Sequence, residues 1–230
     1  MGTLLQSQAF SHNSYAFEQP LFDRLRVLEH DWYIPRKNQF TAVFSTLALA
    51  LKAKDPQIYR HAYQVQRFAS QLSNALGLTE DEKITIELGA LFHDIGKLAI
   101  SDAILQKPSR LTQQEFAQVQ QHPQHGACIL AQVGMLDLDQ LIPVAYYHHE
   151  RWDGNGYPNH LQKEAIPFSA RIVSIADAFE VMISQRTYKK TMTTGNALAE
   201  LLRCAGTQFD PELVNVFCTA INGETITTAA

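Results

Sequence analysis

The stretch Leu91-Phe92-His93-Asp94-Ile95-Gly96-Lys97 carries the side chains of this 230-residue chain that can do the most chemistry. On a helix, Lys97 follows His93 by four residues and Asp94 by three, so the three share one side. A neutral imidazole nitrogen can cap one cation, and a carboxylate can bridge two. Taken alone, a His-Asp dipeptide is more often a satisfied pair on a helix face.

The dipeptide has company. His122 precedes Pro123 at a predicted helix junction. His148-His149 closes a predicted helix just before a Gly-rich loop. Asp177 lies inside the apolar stretch Ala170–Met182, where an unpaired carboxylate is costly and needs a partner. An ion pair to Arg171 or Arg186 would satisfy Asp177, and a polar helix end with one ring on Trp152 would account for the double histidine. Together, these imidazoles and carboxylates on separate elements read as a dinuclear oxygen/nitrogen metal site of the kind helical bundles build in their cores.

The elements that must position these groups are helical. Apolar residues recur at helical spacing over Phe40–Leu51, Val65–Leu76 and Ile84–Ile95. Gly77 is placed to end the second of these. Thr112 with Glu115 forms a capping-box pattern. Pro123 opens a helix ending near Gly134, Leu141–His149 is helical by pattern, and Asn196–Cys204 is short and amphipathic. Asp210-Pro211-Glu212 starts a last helix. Arg151–Ile166, rich in Gly, Asn, Asp and Pro, reads as loop. No period-2 strand stands out, so the fold class is all-α.

Composition bounds the function. Hydrophobic residues make up 46% of the chain, which excludes wholesale disorder. The formal charge of −4 argues against a DNA-coating role. Cys128, Cys204 and Cys218 are odd in number and form no C-x-x-C pair, so they read as small core residues rather than disulfides or zinc ligands. Any metal is therefore expected on imidazole and carboxylate. No apolar run approaches the roughly 18 residues of a membrane span, and no secretory signal is visible. The expected location is the cytoplasm.

The motifs resemble a known family. His93-Asp94-Ile95-Gly96-Lys97, His122-Pro123, the run from His148 through Glu150, Trp152 and Gly154 to Gly156-Tyr157-Pro158, and Ile166-Pro167…Ala176-Asp177 look like the HD-GYP domain, a branch of the HD-domain metal-dependent phosphohydrolases. The resemblance spans about residues 55–221. It implies an HD-domain-like helical bundle with a short helical N-terminal extension: extension 1–54, HD-GYP domain 55–222 and a frayed tail 223–230.

The resemblance also implies a site. Metal ligands would be His93, Asp94, His122, His148, His149 and Asp177, with Asp94 bridging. His61 is a further candidate, in a segment, His61-Ala62-Tyr63-Gln64-Val65, that departs from the family's His-Ser-x-Arg-Val. Three-metal members carry a Glu where this chain has Gln57, so two divalent ions, or a third held only weakly, are expected, with iron or manganese as the metal. Catalysis would fall to Lys97 and Asp94. Substrate contacts would come from Lys97, Arg186, Lys189, Tyr157 and Gly156. His12, His30, His125 and His160 fall outside the pattern.

The implied activity is hydrolysis of the bacterial second messenger cyclic di-GMP to pGpG or GMP. A mixed cyclic GMP-AMP substrate fits the same metals, and a non-catalytic nucleotide-binding or docking module is the third reading. The N-terminal helices are candidates for pairing two copies or contacting a separate protein such as a sensor, and the resemblance links the Gly156-Tyr157-Pro158 surface with contacts to cyclic-di-GMP-synthesising domains.

Overall fold

The computed structural model describes residues 37–133, 140–184 and 191–227, with 37–41 and 224–227 described by their backbone alone. The described helices are α1 (Lys37–Lys54), α2 (Pro56–Ala75), α3 (Glu80–Phe92), α4 (Asp102–Leu105), α5 (Gln113–Val119), α6 (His122–Gln132), α7 (Ile142–Tyr147), α8 (Phe168–Ile183), α9 (Thr194–Cys204) and α10 (Pro211–Thr227). Among the described residues there is no strand, only an isolated bridge between Ala205 and Phe209, and the fold is all-α. None of the described helices is long and apolar enough to cross a membrane. The elements described below belong to the compact unit of residues 47–230.

Local chemistry sets the helix ends. Asp55 caps α2, its Oδ1 accepting the Gln57 N–H at 2.7 Å, with Pro56 at the first helical position. Gly77, at φ +66°, lets the chain turn after α2. Reciprocal capping boxes open α3 at Thr79/Glu82 and α5 at Thr112/Glu115. Asp210 caps α10 through Oδ1, which accepts the Glu212 N–H at 2.9 Å. That last helix continues past Gly223 to Thr227.

The core lies where α2, α3, α8, α9 and α10 meet. Phe68, Phe179 and Phe217 pack edge to face there, with centroids 4.9 Å apart for the first pair and 5.1 Å for Phe179–Phe217. Each fully buried apolar side chain stabilises this arrangement by roughly 1.5–3 kcal/mol. The helix α8 is apolar on most of its circumference because α2, α3, α7, α9 and α10 all pack on it. It therefore brings Asp177 and Glu180 into the middle of the bundle.

Three expectations from the sequence need correction. The helix through His93 does not continue to Lys97. It ends at Phe92, His93 caps it, Asp94 turns at φ −98° and ψ 9°, and Ile95–Ala99 is a 3-10 turn. The cause is tertiary: Gly96 lies against α6, where a Cβ would meet the His122 carbonyl oxygen at 1.9 Å and the Gly126 nitrogen at 2.5 Å. Only glycine allows that approach of two backbones. Cys128 is exposed on α6, whereas Cys204 and Cys218 are buried as expected. A short helix, α4, also stands in a stretch where the periodicity showed none.

Candidate metal centre

Five elements deliver the polar cluster. α2 brings His61; the end of α3 brings His93 and Asp94; the start of α6 brings His122; the end of α7 brings His148 and His149; α8 brings Asp177. The ligand-type atoms fall into two groups, each with its members within 4.8 Å of one another: Asp94, His122, His148 and His149 in one, and His61, His93 and Asp177 in the other. Asp94 joins them. Its Oδ1 lies 3.2 Å from His122 Nε2 and 4.0 Å from His148 Nε2, while its Oδ2 lies 3.3 Å from His93 Nε2 and 3.9 Å from His61 Nε2.

The tautomers follow from what each Nδ1 faces. His93 Nδ1 lies 2.6 Å from the Ala90 carbonyl, His122 Nδ1 2.7 Å from that of Val119, and His148 Nδ1 3.0 Å from that of Ala145. A carbonyl only accepts, so each Nδ1 carries the proton and donates. In the neutral ring, Nε2 then presents a bare lone pair. His122 Nε2 and His148 Nε2 face each other at 3.3 Å, both toward a carboxylate oxygen. His93 Nε2 is buried and has no hydrogen-bond partner among the described residues.

Acceptors converging without protons repel one another unless a cation lies among them. The cluster therefore fits the divalent metal that the sequence motifs imply. Burial first, then the neighbouring charge of His149, His93 and His122, pushes the His148 pKa well below the ordinary imidazole value and favours its ligating form. Burial, then His122, lowers His149 to about 4.

The carboxylates are held ionised. Burial acts to raise the pKa of Asp94, but Lys97 and then His93 outweigh it and keep it well below the carboxylate range. Burial also opposes ionisation of Asp177, and the hydrogen bond and charge of His61 overcome it. Lys97 is ion-paired to Asp94 Oδ2 at 2.5 Å.

The loop after His149 closes one side. Tyr157 stacks on His149 with centroids 4.8 Å apart, so the ring partner is Tyr157 rather than Trp152. Burial, reinforced by Asp94 and Asp177, raises the Tyr157 pKa and keeps it an O–H donor. Gly156 sits where a Cβ would meet the Arg151 nitrogen at 2.4 Å and the His149 carbonyl oxygen at 2.5 Å. The buried Glu150 carboxylate accepts the Asn159 N–H at 2.6 Å and the Leu161 N–H at 3.1 Å, stapling the loop to itself.

Arg171 does not pair with Asp177. It binds Asp210 at 2.6 Å and stacks over Trp152 and Phe168. Gln57 is exposed on α2, one turn before His61. Arg186 and Lys189 lie outside the described residues, as do His12 and His30. His160 is exposed at φ +57° and His125 is part-buried; neither belongs to the two groups.

Sequence reasoning missed Glu180. Its Oε2 lies 2.5 Å from His61 Nδ1, and its Oε1 accepts the Ser184 hydroxyl. The signal was the spacing to Asp177: three residues on a helix place both carboxylates on one face.

Residues 45–213 match the HD domain family. The chain is 38% identical over 170 residues to a 3'3'-cGAMP-specific phosphodiesterase 2 of Vibrio cholerae, covering 74% of this chain and 33% of that protein. It is 36% identical over 217 residues to the cyclic di-GMP phosphodiesterase response regulator RpfG of Xanthomonas campestris, covering 91% of this chain and 53% of that one. It thus spans a third to about half the length of these relatives. An HDG"Y"P protein from Bdellovibrio bacteriovorus shares the fold at a TM-score of 0.62 with 17% identity, over 88% of this chain and 69% of that one.

Proposed function

We propose that this chain, which belongs to the HD-domain family, is a metal-dependent phosphodiesterase that hydrolyses cyclic di-GMP to pGpG or GMP. The observation that carries the reading is the placement of Asp94. Its two oxygens each face imidazoles whose Nδ1 protons are committed elsewhere, so proton-free donors gather on both sides of one carboxylate. Asp94 would bridge two divalent ions. His122, His148 and His149 would hold one, and His93, His61 and Asp177 the other. The donors are imidazole and carboxylate, a set suited to iron or manganese. Gln57 is exposed and neutral, which supports two ions rather than three.

When bound, the two ions supply Lewis acidity at phosphorus and lower the pKa of a water that attacks it. The chain's own residues do the rest. Lys97 turns from Asp94 to a non-bridging phosphate oxygen, where its point charge opposes the growing negative charge. Tyr157 donates to the substrate from the loop that Gly156 and Glu150 shape, and Arg186 and Lys189 supply further charge for phosphate or guanine. The carbonyls of Ala90, Val119 and Ala145 hold three rings in register so that no reorientation is needed during reaction.

The similarity to the cGAMP-specific relative favours a second substrate, the mixed cyclic GMP-AMP dinucleotide. The test is turnover of the two dinucleotides side by side by protein purified without oxygen, with elemental analysis of wild type and Asp94→Ala. Wild type is expected to carry two ions and cleave cyclic di-GMP faster than cyclic GMP-AMP. Asp94→Ala is expected to lose at least one ion and nearly all turnover. Tight nucleotide binding without cleavage, in conditions where an active relative cuts, would overturn the enzyme reading in favour of a docking module.

A further inference from the structure

His61 differs from the three rings whose Nδ1 faces a main-chain carbonyl. Its Nδ1 faces a carboxylate oxygen, Glu180 Oε2, at 2.5 Å. Its other nitrogen, Nε2, points into the cluster, 3.1 Å from Asp177 Oδ1 and 3.9 Å from Asp94 Oδ2. The cause is in the chain. His93, His122 and His148 each sit at a helix end, and their Nδ1 atoms reach carbonyls three residues back. His61 lies within the body of α2, where main-chain carbonyls are engaged in the helix, so a partner must come from another element. Glu180 supplies it from α8, one turn beyond Asp177, and Ser184 in turn hydrogen-bonds the second carboxylate oxygen.

We propose that Glu180 is a positioning residue for metal: by accepting the Nδ1 proton of His61 it fixes the tautomer that presents Nε2 to the ion held with His93 and Asp177. This deepens, and rests on, the reading of the cluster as a two-metal site. A carboxylate is an ionised acceptor, so it does more than a carbonyl can. It locks the ring orientation and makes the far nitrogen a stronger donor, and loss of such a partner typically lowers metal affinity about 10–100-fold. The ring held by Glu180 also lies on the side of Asp94 that lacks the paired imidazoles of the other group. Strength gained there offsets the smaller number of nitrogen donors, two against three.

The competing description is an ion pair alone, with an imidazolium held between Glu180 and Asp177 whether or not metal is present. Metal-stripped full chain is titrated with Mn(II) by calorimetry, as wild type, Glu180→Gln and Ser184→Ala, with circular dichroism to confirm the helical fold. For Glu180→Gln, one of two Mn(II) equivalents is expected to weaken about 10–100-fold while the other stays as in wild type. Ser184→Ala should weaken the same equivalent by a smaller factor. Unchanged titration of both variants, or equal weakening of both equivalents, overturns the proposal.

A wild-type measurement stands independently of how the variants fold. In the Zn(II)-loaded protein, long-range ¹H–¹⁵N spectra should show His61 protonated at Nδ1 alone. A doubly protonated His61 ring under saturating Zn(II) overturns the proposal. If wild type itself binds no metal, the two-metal reading falls instead, which keeps the two failures apart.

Discussion

Lys97 places its ammonium 2.5 Å from Asp94 Oδ2, the same oxygen that faces His93 Nε2 at 3.3 Å. The 3-10 turn makes this possible by bringing the residue three places on over the Asp94 carboxylate. Lys97 therefore neutralises Asp94 until a substrate phosphate competes for it, and it is not itself a metal-type ligand. Lys97→Met is expected to keep its metal content and to lose about 10²–10³-fold in kcat, with a smaller change in KM, because the charge matters most where negative charge develops. Elemental analysis beside steady-state kinetics checks this. Loss of metal in the variant would assign Lys97 a structural role.

Gly96 holds that turn against α6. Gly96→Ala would drive a Cβ to 1.9 Å from the His122 carbonyl oxygen, and the obstacle is backbone rather than a yielding side chain. Overpacking of this kind costs about 1–3 kcal/mol, at ~2–4 °C of Tm per kcal/mol for a domain of this size. The same shift displaces His122, the first residue of α6, from Asp94. The variant should therefore melt several degrees lower and bind metal more weakly than wild type, measured by calorimetry with and without Mn(II). Gly77→Ala, where the added Cβ meets nothing within 4 Å but φ is +66°, is the control for backbone strain without displacement of His122.

Much of the fold could be read along the chain. Caps such as Thr112 with Glu115 and Asp210 with Pro211 act within a few residues, so their signal is local. His93, Asp94, His122, His148 and Asp177 were legible as candidates because their residue types are costly to bury without a partner, and the motifs around them supplied the pattern. What was not legible depends on packing between distant elements. The turn at His93 is set by the contact of Gly96 with α6. The partner of Arg171 comes from the cap of α10, 39 residues on. Glu180 meets His61 across 119 residues, and its spacing to Asp177 tells which face it shares but not which ring it will face.

The histidines give the metal-free protein a defined pH dependence. Burial would lower the His61 pKa, but hydrogen bonds to Asp177 and Glu180 outweigh it and raise it to about 9. The folded state then binds this proton more tightly than the unfolded chain, whose imidazole titrates near ~6.5. That contribution is complete below ~6.5 and is lost as pH rises through about 9. His149 works in the opposite sense. Burial, then His122, lowers it to about 4, so between there and ~6.5 the unfolded chain binds more protons and stability rises with pH. Tm measured in chelator should therefore climb from about pH 4 and fall again toward pH 9, with its maximum near ~6.5. A cation at His61 Nε2 replaces the proton there, so saturating Mn(II) should flatten the alkaline limb, and the metal-induced rise in Tm should grow from pH ~6.5 to about 9. Differential scanning calorimetry across that range, with and without Mn(II), reads both effects. A metal-free Tm that keeps rising to pH 9 would show that His61 holds no extra proton in the folded chain.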